Sequence, residues 1–149
     1  MIEHDIKQME DSQIEEVMNI WLASTIQGHP FIPKDYWGAN YKVVKEQYLP
    51  IAKTFIDKEG EKIKGFISII EDSFIGALFV DPHAQGKGVG KALIEYCKEQ
   101  YEVLELAVYA ENEKAVDFYK KQDFSIIMEQ ENEDSKRREY IMRWEANNL

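Results

Sequence analysis

The stretch that decides the architecture of this chain is VDPHAQGKGVGKAL at residues 80–93. An apolar strand, predicted over 74–80, runs through a glycine-rich turn directly into an amphipathic helix. Glycines at alternate positions let a ligand approach the backbone closely, because no Cβ stands in the way. The first amides of a helix lack internal acceptors and lie at the positive end of its dipole. The stretch therefore predicts a site for a phosphate or pyrophosphate.

Two common phosphate motifs do not fit this spacing. The dinucleotide fingerprint needs a third glycine where the chain has Lys91, and the P-loop needs a longer spacing followed by Lys and Ser or Thr. The spacing that fits is Gln-x-x-Gly-x-Gly, at Gln85, Gly88 and Gly90. It resembles the pyrophosphate loop of the GCN5-related N-acetyltransferases (the GNAT family), which bind acetyl-coenzyme A (acetyl-CoA). The alternative is a glycine-rich turn that only caps a helix.

A second motif lies further along the chain. The same family has a Val-x-x-x-Asn-x-x-Ala-x-x-x-Tyr pattern, which this chain matches with Val108, Asn112, Ala115 and Tyr119. Two motifs in the correct order are much harder to obtain by chance than one, and the resemblance covers residues 62–124. It departs where the family usually ends this helix with Gly-Phe. This chain has Asp123 there, which we expect to adopt the left-handed conformation at some cost in stability.

The order of the predicted elements indicates an α+β fold. A strand–helix–strand order in the middle of the chain predicts a parallel pair with a right-handed crossover, and the hairpins on either side predict antiparallel strands. The first helix is predicted over about 12–26, with a capping box formed by Ser12 and Glu15. The family resemblance implies one N-acetyltransferase domain over residues 1–149. Its sheet is expected to be mixed and mostly antiparallel, with six to seven strands, a central parallel pair that splays apart, and about four helices.

Composition narrows the class of protein. A length of 149 residues with 44% hydrophobic residues suits one domain with a sizeable core. The net charge of -10 argues against nucleic-acid binding; it suits a cationic substrate, or simply a solvated acidic surface. We expect a cytoplasmic protein with no membrane partner, because the chain has one cysteine, no membrane-spanning run and no signal-peptide pattern. Both a monomer and a homodimer are compatible with the sequence. No His or Cys cluster has metal-ligand spacing, so no metal is expected.

The resemblance implies roles along the cofactor site. A splayed strand exposes backbone groups that a pantetheine arm can use as if it were another strand, at Leu78, Phe79 and Val80. The amide of Phe79, or that of Val80, is expected to polarise the acetyl carbonyl as an oxyanion donor. Tyr119 is expected to protonate the leaving thiolate, and Asn112 either binds the pantetheine amide or caps its helix. The pyrophosphate is expected to be held by Gln85, Gly86, Lys87, Gly88, Val89, Gly90 and Lys91.

The residues that would contact the acceptor amine are less clearly indicated by the sequence than those of the cofactor site. The loop GHPFIP at 28–33 is similar to a segment of the YjaB-like small bacterial acetyltransferases. His29, Phe31 and Tyr36 are expected to contact the acceptor, and core packing or plain exposure are the alternatives. Candidates for the base that takes the amine proton are His29, Glu71, Asp72 and Glu105. Glu105 stands out because a carboxylate inside a parallel pair is unusual.

The function that these features favour is transfer of an acetyl group from acetyl-CoA to an amine by direct attack in a ternary complex. A covalent relay through Cys97 is disfavoured, because its predicted helix leads away from the cofactor loop. One alternative is a non-catalytic acyl-CoA-binding sensor, against which Tyr119 argues. Another is transfer of a longer acyl chain, which the bulk of Phe79 and Phe118 is expected to resist.

Overall fold

The computed structural model describes residues 4–71 and 73–146, and in them the chain forms a single seven-stranded sheet with helices on both faces. In chain order the elements are β1 (Asp5–Gln8), α1 (Ile14–Gly28), α2 (Lys34–Val43), β2 (Lys53–Glu59), β3 (Lys62–Ile70), β4 (Phe74–Val80), α3 (Val89–Lys98), β5 (Val103–Tyr109), α4 (Glu113–Lys121), β6 (Ser125–Glu131) and β7 (Arg138–Glu145). Within these residues, no helix has the length and apolarity needed to cross a membrane.

The sheet has the strand order β1-β2-β3-β4-β5-β7-β6. Every neighbouring pair is antiparallel except β4 and β5. These two strands run parallel and pair only at Phe74 with Glu105 and at Ile75 with Leu106. Beyond Ile75 they diverge, so the rest of β4 pairs with β3 alone. The α+β class, the strand number and the splayed central parallel pair predicted from the sequence are confirmed.

The two faces of the sheet carry separate hydrophobic clusters. On one face α3 and α4 bury Leu93, Ile94, Cys97 and Val116 against the central strands. On the other face α1 and α2 bury Val17, Met18, Trp21 and Trp37 around Phe66 of β3. Because side chains of a strand alternate between faces, β3 and β5 contribute to both clusters. The helices therefore hold β4 and β5 from both sides at the point where the strands part.

Two local predictions meet different outcomes. The capping box is wrong in position, because the Glu10 amide donates to Oε1 of Gln13 at 2.8 Å and a 3-10 turn over Asp11–Gln13 precedes α1. Ser12 lies inside that turn and therefore cannot act as the cap. At the end of α4 the prediction is confirmed, since Asp123 is left-handed with φ of 71°. The amide of Phe124 closes this helix end on the Tyr119 carbonyl at 3.0 Å.

Candidate active site

The gap between β4 and β5 opens into a cleft of about 900 Å³. One wall is the end of α1 with its following loop, and the opposite wall is the first two turns of α4. The floor is β4 together with the glycine-rich loop. The sequence-predicted residues that line the cleft are His29, Phe31, Leu78, Phe79, Val80, Gln85, Gly86, Gly88, Val89, Gly90, Lys91, Asn112 and Tyr119.

The pairing of β4 with β3 decides which of its amides face the gap. The Asp81 amide donates to the Lys64 carbonyl at 2.8 Å, and Gly65 lies opposite Val80. In an antiparallel pair the backbone groups of successive residues point to alternate sides. The N–H and C=O of Phe79 are therefore directed at β3, and those of Leu78 and Val80 are directed at the gap.

This alternation corrects the predicted oxyanion donor. The Phe79 amide belongs to the β3–β4 ladder, so it is not available to a ligand in the gap, and the prediction of Phe79 is wrong on geometry. The two amides that face the gap are those of Leu78 and Val80. The Val80 carbonyl accepts a hydrogen bond from Oγ of Ser24 at 2.9 Å, which ties α1 to the open side of the strand.

The glycine-rich loop has the backbone geometry of an anion site. Gly86 and Gly88 have φ of 80° and 77°, in the left-handed region that glycine adopts without strain. Gly88 is the N-cap of α3, so the first amides of this helix point into the cleft. A Cβ on Gly90 would lie 3.2 Å from the Phe118 ring, so this glycine allows α3 and α4 to approach each other.

The side chains of the loop are mostly turned to solvent. Lys87 is exposed, and Lys91 pairs weakly with Glu95 at 3.9 Å. Nε2 of Gln85 donates to Oε1 of Gln27 in α1 at 3.3 Å, across the cleft entrance. A phosphate placed in this loop would therefore meet backbone amides first, and the two lysines would add charge from the rim.

On the opposite wall, Asn112 and Tyr119 begin and end the two helical turns of α4 that line the cleft. Oδ1 of Asn112 accepts the Ala115 amide at 3.2 Å, which confirms the capping alternative for this residue. Tyr119 packs edge-on against Phe118 and Phe124, with ring centroids 5.2 and 5.7 Å away. Burial raises the pKa of Tyr119, so its phenol keeps its proton throughout the neutral range.

An aromatic enclosure, formed by His29, Phe31, Trp37 and Tyr109, stands at the other end of the cleft, where His29 and Phe31 line it and Trp37 and Tyr109 lie behind them. The His29 ring centroid lies 5.7 Å from that of Phe31, 5.2 Å from that of Trp37 and 5.4 Å from that of Tyr109. Tyr109 was not assigned a role from the sequence. Its position directly before the segment that leads to Asn112 was the available signal.

Tyr36 is the one acceptor candidate from the helix α2, and it lies outside the cleft lining. It packs edge-on against Trp37, with ring centroids 4.8 Å apart. Burial, followed by the proximity of Tyr109, raises the pKa of Tyr36 to about 12. The structure therefore places it as a support for the enclosure.

The β6–β7 hairpin reaches over to the loop that carries the enclosure. Nη2 of Arg137 donates to the Phe31 carbonyl at 3.0 Å, and Nη1 of Arg137 pairs with Glu111 at 3.2 Å. Arg137 is thus bonded both to the loop that follows α1 and to the segment that precedes α4. Sequence reasoning missed this contact, because 106 residues separate its two ends and no local pattern links them.

The remaining candidates lie elsewhere or are not described. Glu105 is outside the cleft lining and pairs with Arg143 at 2.6 Å. Glu71 is at the other end of β4, where it lines a separate small cavity, and Asp72 lies outside the described residues. Cys97 is buried in α3, and burial raises the pKa of its thiol to about 12, which opposes a covalent relay.

Comparisons with known proteins show the family and the fold of this chain. Residues 34–146 match the family model described as an acetyltransferase (GNAT) domain. The chain is 36% identical over 139 residues to the peptidyl-lysine N-acetyltransferase YiaC of Escherichia coli K12, covering 93% of this chain and 95% of that protein. It is 31% identical over 130 residues to the peptidyl-lysine N-acetyltransferase YjaB of the same organism, covering 87% of each. The solution structure of apo YjaB from Escherichia coli superposes with a TM-score of 0.84 at 27% identity, covering 98% and 100% of the two chains.

Proposed function

This chain belongs to the GNAT acetyltransferase family, and we propose that the amine it acetylates is the side chain of a lysine held in a protein or peptide. The protein is an acetyl-CoA-dependent N-acetyltransferase, with an amine as the acceptor. The observation that carries the lysine proposal is the 36% identity to a peptidyl-lysine N-acetyltransferase over nearly the whole of both chains.

The shape of the acceptor end of the cleft supports a lysine. A lysine side chain is a narrow methylene stem with a polar amine at its tip, and it enters apolar surroundings with the stem packed. Phe31 lines this end of the cleft and offers an apolar ring to such a stem, and His29 supplies a polar atom. Trp37 and Tyr109 hold the His29 ring in place from behind. The net charge of -10 favours the approach of a basic protein segment.

The cofactor end supports direct transfer in a ternary complex. The amides of Gln85 to Lys91 would hold the pyrophosphate, and the Leu78 and Val80 amides would bind the pantetheine arm and the acetyl carbonyl. As the amine attacks the carbonyl carbon, negative charge develops on the carbonyl oxygen, where such an amide stabilises it. The carbon–sulfur bond then breaks, and the Tyr119 hydroxyl donates its proton to the leaving thiolate.

We also propose a domain organisation, a cellular compartment and an oligomeric state for this enzyme. A single N-acetyltransferase domain over residues 1–149 would act in the cytoplasm as a monomer or homodimer, on amines rather than on nucleic acid or a membrane surface. The presence of both core clusters on one continuous sheet supports a single domain. Size-exclusion chromatography with light scattering distinguishes the two oligomeric states.

The acceptor is tested by measuring release of the coenzyme A thiol with a panel of amines. The panel contains lysine peptides blocked at the α-amine, peptides with a free α-amine and no lysine, and polyamines. We expect turnover with the blocked lysine peptides and an acetylated lysine by mass spectrometry. Turnover confined to α-amines or polyamines would exclude the lysine proposal. Tight acetyl-CoA binding without turnover of any amine would instead support the sensor alternative.

A further inference from the structure

The ring of His29 is fixed in one tautomer by the helix that precedes it. His29 caps the C-terminus of α1, and its Nδ1 lies 2.8 Å from the carbonyl oxygen of Thr25. A carbonyl oxygen can only accept a hydrogen bond, so Nδ1 must carry the hydrogen. In the neutral imidazole the lone pair is then on Nε2, the nitrogen at the opposite corner of the ring.

That lone pair lies beside the wall of the cleft that carries Asn112. Nδ2 of Asn112 is 3.5 Å from Nε2 of His29, while Oδ1 of Asn112 is occupied by the Ala115 amide. The helix cap therefore orients the amide so that its donor faces the imidazole, which agrees with an unprotonated Nε2. A separation of 3.5 Å is at the long limit for a hydrogen bond, so an amine or water can replace Asn112 as the partner.

The surroundings of His29 keep the imidazole unprotonated. Burial, the larger effect, lowers the pKa of His29, and the bond to Thr25 opposes it only in part. The titratable groups on the elements around His29 are Tyr36 of α2, Tyr109 of β5, Glu111 before α4, Glu113, Lys114 and Tyr119 of α4, and Arg137 of the hairpin. Glu111 and Arg137 pair with each other, so their charges largely compensate.

We propose that His29 is the general base of the acetyl transfer, its Nε2 taking a proton from the acceptor amine while its Nδ1–H stays bonded to the Thr25 carbonyl. This deepens the proposed function and rests on its amine acceptor. The other acidic candidates are less suited, because Glu105 is paired with Arg143 outside the cleft and Glu71 is at the far end of β4.

The proton balance of this step is complete. The free amine attacks the acetyl carbon, its nitrogen becomes positively charged, and one of its hydrogens moves to Nε2 of His29. A neutral imidazole suits this transfer because the nitrogen becomes far more acidic as its bond to carbon forms. The carbon–sulfur bond breaks, and the departing sulfur receives the proton of the Tyr119 hydroxyl. His29 then returns its proton to solvent and Tyr119 regains one, which gives an amide and a free thiol.

The first test reads the tautomer directly and needs no substrate. Nitrogen-15 NMR of histidine-labelled protein with His29→Gln as the assignment control reports the protonation of both ring nitrogens. We expect the Nδ1–H tautomer at pH 7 and titration below the ordinary histidine value of about 6.5. An Nε2–H tautomer, or an imidazolium at pH 7, would overturn the proposal.

The second test is kinetic, with His83→Gln as the matched control because His83 is exposed beside the loop. We expect His29→Gln to lower kcat by roughly 10²-fold or more and to leave the calorimetric Kd for coenzyme A unchanged. In the wild type, kcat/KM calculated for the unprotonated amine should fall as the pH drops through the His29 pKa. This decrease on the acidic side of the pH profile should be absent in His29→Gln. Imidazole should partly rescue His29→Ala.

The outcomes separate this proposal from the lysine proposal. If lysine peptides are refused and another amine is accepted, the lysine assignment fails and the same measurements on that amine still decide the role of His29. Retention of the wild-type kcat and acidic limb in His29→Gln refutes the base. Acetylation of no amine at all refutes both proposals.

Discussion

Tyr119 is the single side chain on which the departure of the thiolate is expected to depend. Tyr119→Phe removes the hydroxyl and keeps the ring between Phe118 and Phe124. We expect kcat to fall by roughly 10²–10⁴-fold, the usual range for one general acid, because the bond to sulfur strengthens only as charge develops. Steady-state kinetics measures the fall in kcat, and calorimetry measures the affinity for acetyl-CoA.

The control for Tyr119→Phe must separate a lost proton donor from a loosened helix. Tyr96→Phe is suitable, because Tyr96 is half-buried in α3 against Phe55, away from the cleft lining. We expect both variants to melt close to the wild type and only Tyr119→Phe to lose turnover. A Tyr119→Phe enzyme with unchanged kcat, when chemistry limits the rate, would point to water as the proton source.

Gly65 is a second position where the protein is expected to be sensitive to a single added atom, the Cβ of a larger residue. A Cβ there would lie 2.8 Å from the Phe79 carbonyl oxygen and 2.8 Å from Cγ1 of Val89, closer than real contacts allow. Gly65→Ala must therefore displace β4 or the first turn of α3, the two elements that we propose bind the cofactor. We expect a loss of about 1–3 kcal/mol in the free energy of unfolding, together with weaker coenzyme A binding.

Urea unfolding and calorimetry check Gly65→Ala against Gly38→Ala. Gly38 is inside α2, and a Cβ at this position would have no atom within 4 Å, so alanine meets no obstacle there. The control should gain about 0.5–1 kcal/mol, because alanine is the better helix former. Equal effects of the two substitutions would contradict the close approach at Gly65.

The sequence could not predict which backbone amide of β4 faces the gap, and the reason is physical. The motif located the strand end at Leu78, Phe79 and Val80, and all three line the cleft. Which of them faces the gap depends on the register between β3 and β4, set in part by Asp81 and Lys64. A shift of one residue would reverse the answer without changing the motif.

Among the secondary-structure elements, the β6–β7 hairpin is expected to set affinity for the acceptor. Arg137→Gln removes the bonds to the Phe31 carbonyl and to Glu111, so the loop that carries the enclosure loses a tether. We expect KM for the acceptor to rise several-fold, while the Kd for acetyl-CoA stays unchanged. The melting temperature should move little, because an exposed ion pair contributes about 0–1 kcal/mol.

Glu111→Gln is the matched variant for this prediction. It removes the ion pair with Arg137 but leaves the bond from Arg137 to the Phe31 carbonyl. If that bond is what holds the loop, Glu111→Gln should raise KM less than Arg137→Gln does. Equal KM values for Arg137→Gln and the wild type would show that the hairpin does not influence acceptor binding.

Local patterns predicted most elements because each begins or ends on a strong signal. Strand β4 has the predicted bounds, and Asn112 caps α4 through its side chain. The start of α1 was harder to predict. Ser12 and Glu15 have capping-box spacing, but a 3-10 turn that precedes the helix uses Glu10 and Gln13 instead. Contacts such as Arg137 with Phe31 depend on tertiary folding, and no local pattern encodes them.

Across the complete fold, the parallel pairing of β4 and β5 joins strands β1–β4 to strands β5–β7 through two residue pairs. A ligand that lies in the gap should therefore stabilise the protein by bridging both parts of the sheet. We expect acetyl-CoA at a concentration about 100-fold above its Kd to add about 2.7 kcal/mol to the free energy of unfolding. Thermal melts with increasing acetyl-CoA measure this.

A nicotinamide dinucleotide is the matched ligand for these melts, because its pyrophosphate is joined to a second nucleoside instead of a pantetheine arm. We expect no stabilisation by the dinucleotide. A shift with the dinucleotide and none with acetyl-CoA would contradict the assignment of the cleft. Equal shifts with both would mean that the glycine-rich loop alone provides the binding, without the amides of Leu78 and Val80.

We expect the open side of β4 to make the stability of this protein depend on the supply of acetyl-CoA in the cell. An unpaired strand edge is a site where chains associate wrongly and where proteases gain access after local opening. A pantetheine arm on Leu78 and Val80 would cover that edge, so the fraction of opened molecules should rise when acetyl-CoA is scarce. We therefore expect the lifetime of the protein in starved cells to shorten before any change in its synthesis.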